Sequence, residues 1–197
     1  MEISRKEFLE NEKVVENYVE QELSVLVPAF CYGFKQKITT PHRSLKTKVC
    51  MSILLEIICG EASPLYARLI REGLINDEFA SEYFCGRGYA TMIFEGESTN
   101  PQKVAEEINA EIERIRKNGI DKKLFSAVKC GMYGDAVRRM SSVSGSAMSL
   151  VESAVSGHEL YEEIKLLKSV TAESVVKRLD SFSAENAVLS VIVPKEE

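Results

Sequence analysis

Two histidines, His42 and His158, are the only imidazoles in the chain, and they lie 116 positions apart. A catalytic zinc site needs two histidines about one helical turn apart plus a further ligand, so that three groups converge and leave one position for water. No second histidine stands at helical spacing from either one. The string His158-Glu159-Leu160-Tyr161-Glu162 begins like a metal motif, but glutamate occupies the place of the second histidine. It reads instead as the start of a surface helix. A serine or cysteine nucleophile needs a positioned base, and Thr40-Pro41-His42 and Ser156-Gly157-His158 read as loops far from any nucleophile elbow. The adjacent pairs Glu106-Glu107 and Glu162-Glu163 diverge on a helix surface and cannot act as acid/base dyads; both read as solvated. Gly86-Arg87-Gly88 joins strand to strand rather than strand to helix, so it is a hairpin turn and not a phosphate cradle. The sequence therefore predicts no catalytic residue and no metal ligand set in this chain.

The elements that could position a site follow from hydrophobic period and punctuation. Residues 1 to 22 read as a polar helical lead-in, with Val14, Val15, Tyr18 and Val19 on a narrow stripe, and residues 23–197 as one domain. Phe30, Tyr32 and Phe34 alternate along a strand, and Pro28 just before them suggests an edge or a bulge. A helix with Leu45, Val49, Ile53 and Ile57 at spacings of four runs to Gly60. Ser63-Pro64 opens a short helix that stops at Gly73. Phe79 to Glu95 reads as a hairpin. Asn100-Pro101 opens a helix ending before Gly119, and Asp121 caps another carrying Phe125, Val128, Met132, Ala136 and Met140. Ser141 to Ser149 reads as either a loop or a weak helix. Thr171 caps the last helix, and Ala187 to Val193 is an apolar run expected to be buried on both faces. This order predicts an α+β fold with an antiparallel or mixed sheet and helices packed on one face.

The chain has 197 residues, 45% hydrophobic and 28% charged, and a formal charge of −5. A length of this order supports a real core. The acidic balance disfavours nucleic acid as a partner, because phosphate recognition needs a dense basic face. Lys35 to Lys48 and Arg114 to Lys117 read as solvated faces. Five cysteines are widely spaced without a Cys-x-x-Cys pair, and buried, reduced thiols are expected. The N-terminus lacks a basic region followed by an apolar one, and the most apolar stretch is too short to span a bilayer. A cytoplasmic location, with no membrane partner, is the expectation.

One string carries more than local structure. Gly60-Glu61-Ala62-Ser63-Pro64-Leu65-Tyr66-Ala67-Arg68-Leu69-Ile70-Arg71-Glu72-Gly73-Leu74 resembles a segment of insulinase/pitrilysin-type zinc metallopeptidases. There a Gly and a Ser precede Leu-aromatic, then Leu-Arg-Glu, then Gly-Leu and a tyrosine. The hairpin, the Asn100-Pro101 helix, the Gly119-Ile120 break and the Thr171 helix follow the same family's order. The resemblance covers Leu23 to Val193 and is closest to the C-terminal, non-catalytic domain of small bacterial zinc-protease-like proteins built from about two such domains. It implies one half-domain of the mitochondrial processing peptidase/LuxS-like metallohydrolase fold. In that family an N-terminal domain carries an inverted His-x-x-Glu-His motif. The second domain closes over the substrate and supplies an arginine and a tyrosine.

The resemblance thus implies a non-catalytic half that pairs with a zinc-bearing half-domain, or forms a homo-oligomer, to enclose and position peptides. Zinc is expected only in the partner, and no cofactor in this chain. Gapless matching of Leu65, Leu69, Gly73 and Leu74 puts Ile70 at the arginine position and Asn76 at the tyrosine position. Arg71 fills the substrate-binding role only after a one-residue slip, about 100° around a helix. A non-proteolytic assembly or scaffold protein derived from the same family is the alternative.

Overall fold

The computed structural model describes residues 13–36, 44–86 and 89–195. Five strands and seven α-helices occur among them: β1 (Tyr18–Leu23), β2 (Ala29–Lys35), α1 (Leu45–Cys59), α2 (Pro64–Arg71), β3 (Ala80–Gly86), β4 (Tyr89–Glu97), α3 (Pro101–Asn118), α4 (Lys122–Met140), α5 (Val143–Ser156), α6 (Glu162–Ser169), α7 (Ala172–Val176) and β5 (Ala187–Pro194). Two short 3₁₀ segments, Lys177–Ser181 and Ala184–Asn186, connect α7 to β5. The sheet order is β1-β5-β2-β4-β3, with β1 parallel to β5 and every other pair antiparallel.

The two faces of the sheet differ. Phe30, Tyr32 and Phe34 of β2 share one face with Met92 and Phe94 of β4 and with Leu189 and Val191 of β5. All seven are buried. Over them lie α1, ten of whose residues are buried, and the Val104, Ile108, Ile112 and Ile115 face of α3. Phe34 is the aromatic hub, with ring centroids 4.8 Å from Tyr32, 5.0 Å from Phe182 and 6.2 Å from Phe94. Such tilted and edge-on contacts add to the area they bury. The opposite face, including Cys31, Ile93, Val188 and Ile192, is half-buried at most.

The observed α+β architecture, a mixed sheet with helices on one face, agrees with the sequence pattern. Several details differ. Tyr18–Leu23 is an exposed edge strand, not the end of a helical lead-in; its pairing with β5 overrides a weak helical stripe. Residues 13–17 of that lead-in are not helical either, and residues 1–12 lie outside the described residues. Pro28 sits just before a central strand and marks neither an edge nor a bulge; its carbonyl accepts from Ser98 N at 2.9 Å. The serine-rich stretch is helical, because Ser142 caps α5 by accepting from Gly145 N at 3.0 Å. β5 is buried on one face only, since no element among the described residues covers the other side of the sheet.

Not every basic or thiol group is where its sequence neighbourhood suggests. Arg116 donates from Nη2 to the carbonyls of Leu179, at 2.8 Å, and Phe182, so it holds the 3₁₀ segment rather than a solvated face. Cys50 and Cys59 are buried, Cys31 and Cys85 are half-buried, and Cys130 is exposed on α4. No single helix among the described residues is long and apolar enough to cross a membrane. The apolar helix α1 is instead the core of the helical layer.

Candidate functional site

The string that carries the resemblance folds as the end of α1, the helix α2 and the turn after it. Ser63 caps α2 by accepting from Tyr66 N at 3.1 Å, and Pro64 occupies the first turn, where no amide hydrogen is needed. Leu65 and Leu69 anchor α2 in the core, and Gly73 turns the chain at φ 66°, a conformation that favours glycine. Because Ser63 is itself buried, Ser63→Ala is expected to lower stability by about 1 kcal/mol. Urea denaturation checks this as a lower midpoint at unchanged slope.

Arg68 is the arginine that this packing engages. Its guanidinium lies 2.5 Å from Glu107, which also receives Lys103 at 2.9 Å. The Lys103 hydrogen bond, followed by the charge of Arg68, holds the Glu107 carboxyl below the usual carboxylate range. Glu107 is therefore a helix-joining group rather than a solvated one. Arg71 is exposed at the C-terminal end of α2 and has no partner among the described residues. Ile70, at the gapless arginine position, is 39% exposed. Asn76, at the tyrosine position, donates to Glu97 at 2.9 Å and accepts from Glu78 N at 3.1 Å. The Asn76–Glu97 pair stands at the rim of the uncovered sheet face, since Glu97 shares that face with Ala29 and Ile192.

His158 lies in the loop between α5 and α6, half-buried, with Nδ1 3.6 Å from Glu162. The string from His158 is loop up to Tyr161, and α6 begins only at Glu162. His42 lies outside the described residues. Glu163 faces Arg139 at 3.7 Å and forms no dyad. No group of three or more His, Cys, Asp or Glu that could hold a metal occurs among the described residues. What the arrangement offers is surface: an uncovered sheet face with apolar residues at its centre and acidic Glu82, Glu95 and Glu97 exposed toward one side.

A second surface was not foreseen from the sequence. None of the residues of α5 is buried, and an open cleft separates its Val151 and Val155 side from Lys48, Val49 and Ser52 of α1. Val143, Ala147, Leu150, Val151, Ala154 and Val155 at spacings of three and four could have signalled it.

Among the described residues the layer has a covered core on one side and an open sheet on the other. The family profile described as the peptidase M16 inactive domain matches residues 6–132. The chain belongs to that family. An uncharacterized zinc protease, YmfH, of Bacillus subtilis (strain 168) is 25% identical over 98% of this chain. The chain spans about half that relative, 46% of its length. A structure described as that of an M16-like peptidase from Alicyclobacillus acidocaldarius superposes with a TM-score of 0.85 at 20% identity, over 94% of this chain and 45% of the other. The inactive peptidase domain of a Bordetella parapertussis protein superposes at 0.71 with 11% identity, over 89% of this chain and 96% of the other. These similarities show the same fold both as half of a longer chain and as a chain of matching length.

Proposed function

We propose that the chain is the non-catalytic half of a zinc-dependent peptidase, pairing with a zinc-bearing half to enclose and position peptide substrates. Membership of the inactive-domain family over residues 6–132 carries this reading. The open sheet is consistent with it, because an extended peptide can pair with an edge strand such as β3 without any catalytic group beneath it. Enclosure excludes water and aligns the scissile bond, a contribution to rate that needs no nucleophile, base or metal here. Zinc would be held by the partner.

Arg71 is the side chain of α2 free to reach a peptide carboxylate or carbonyl, and we assign it that role. One observation favours the alternative of a non-proteolytic assembly protein. Ile70 and Asn76 stand where the family pattern has arginine and tyrosine, and Asn76 is committed to Glu97.

The test is an assay of the purified chain alone, and mixed with a family half carrying His-x-x-Glu-His, on unstructured peptides. No cleavage by the chain alone is expected, and chelator-sensitive cleavage in the mixture at least tenfold above the zinc half alone. Chelator-resistant cleavage by the chain alone rejects the proposal. Absence of any stimulation favours the assembly reading. In the stimulated mixture, Arg71→Ala should raise KM with kcat little changed; identical kinetics would remove Arg71 from the substrate surface.

A further inference from the structure

Helix α5 is inside out. Its inward side carries Gly145, Ser146, Ser149 and Ser153, all half-buried, and two of those hydroxyls bond to backbone: Ser146 to the Met140 carbonyl at 2.7 Å and Ser153 to the His158 carbonyl at 2.5 Å. Its apolar side chains are exposed instead, Val155 at 84% and Val151 at 58%. An amphipathic helix on a globule normally presents the reverse arrangement. These two valines line the open cleft whose other wall is α1, a space of about 590 Å³ that Met132 and Arg139 of α4 also border.

The two walls of this cleft complement each other. The α1 wall carries Leu45, Lys48 and Val49, and the α5 wall carries Val151, Glu152 and Val155. Lys48 and Glu152 are both exposed, and neither side chain has a hydrogen-bond or ion-pair partner among the described residues. The other charges lining the cleft from α4 and α6, Arg139 and Glu163, already face each other at 3.7 Å. Each wall therefore holds what the other lacks: an unmatched charge of opposite sign beside apolar side chains that water still reaches.

The attachment of α5 leaves it free to move. Its first turn is fixed to α4, because a side chain at Gly145 would collide with the Arg139 carbonyl oxygen and only glycine lets the backbones come so close. Beyond that turn its inward side offers Ser149 and Ser153, too short to interlock as ridges in grooves. Its far end runs into Gly157, at φ 75° with nothing within 4 Å of where a side chain would begin. Glycine changes its backbone angles there at little cost. We propose that α5 is a hinged lid: pivoting on the Gly145 turn, with Gly157 as the second hinge, it closes on α1, covers Val151 and Val155 and pairs Glu152 with Lys48. Sliding of packed helices is an ordinary way for a helical layer to hold two arrangements. The closure belongs to the chain on its own and does not depend on the peptidase reading.

Disulfide trapping of the purified chain tests this. In a Cys130→Ser background, which removes the exposed native thiol, Ser52→Cys and Val155→Cys place one thiol on each wall. A bridge forms only when the two Cα atoms come within about 7 Å. Mild oxidation of the dilute chain should produce the intramolecular bridge within minutes, seen as a faster-migrating monomer on a non-reducing gel and located by peptide mapping. Adding Lys48→Glu should slow bridging by about fivefold, the upper range for an exposed ion pair. Adding Lys48→Glu together with Glu152→Lys should restore the rate. Circular dichroism should be unchanged throughout, because none of these side chains is buried. Failure to bridge overturns the proposal. So does a bridge whose rate ignores charge reversal, and so does a rate that the double reversal leaves slow.

Discussion

Replacing Phe34 with alanine is expected to remove about 3–5 kcal/mol of stability, a large share of the roughly 5–15 kcal/mol that folded domains possess. Phe34 is 1% exposed and packs on Tyr32, Phe94 and Phe182, so its ring joins two strands to the segment that leads into β5. Truncation leaves a cavity bordered by three rings that cannot all move inward, because β2 is fixed in the sheet between β4 and β5. Urea denaturation should show a midpoint lowered by more than 1 M. Phe84→Ala is the contrast. Phe84 is 50% exposed and its one ring contact is with Tyr89, at 5.2 Å, so its loss should cost under about 1 kcal/mol. A Phe34→Ala variant as stable as Phe84→Ala would mean that the core lies elsewhere.

Stability should also fall steeply above about pH 9. Burial, and then the nearby Glu111 carboxylate, push the Cys59 thiol far above its ordinary range, and Cys59 is 2% exposed. Burial pushes the Tyr83 phenol up to about 12, and burial raises Tyr32 as well. These groups keep their protons in the folded chain and lose them in the unfolded chain, thiols near pH 8.5 and phenols near pH 10. The unfolded state therefore binds fewer protons, and stability declines as pH rises, by up to about 1.4 kcal/mol per pH unit for each group fully discriminated. Cys59 supplies the first part of the decline. Tyr83 contributes between pH 10 and about 12, by less than the full amount because it is only half-buried and partly screened by water. Denaturation midpoints measured from pH 7 to 11 should show Cys59→Ala flattening the slope between pH 9 and 10, and Tyr83→Phe flattening it only above 10. A wild-type curve flat to pH 11 would refute this.

The core was legible because its residues obey local rules. Val104, Ile108, Ile112 and Ile115 sit between a clear Asn-Pro start and a glycine stop, and both signals hold in α3, where Asn100 accepts from Lys103 N and Gly119 adopts φ 78°. The same holds for Thr171, which forms a reciprocal capping box with Ser174. What escaped the sequence depends on partners distant along the chain. Tyr18–Leu23 is a strand only because β5, some 170 residues later, offers an edge. Glu107 looked solvated beside Glu106, yet its neighbour across the helices is Arg68. The inverted polarity of α5 was obscured because its serines look like loop residues until α4 is placed beneath them. For the candidate site, the α2 string was readable, but Arg71 and Asn76 acquire meaning only from which of them is already bonded.

The position of β5 bears on how the molecule is made. It is the last strand in sequence and the second in space, inserted between β1 and β2. Until a ribosome has released residues up to Pro194, β1 has no neighbour and β2 presents a bare edge beside the newly formed hairpin. Non-local pairing of this kind is slow, and an unpaired edge invites association with other nascent chains. The helices can condense on a three-stranded intermediate of β2, β4 and β3 well before then, so completion of the sheet is a late, separate event in biosynthesis.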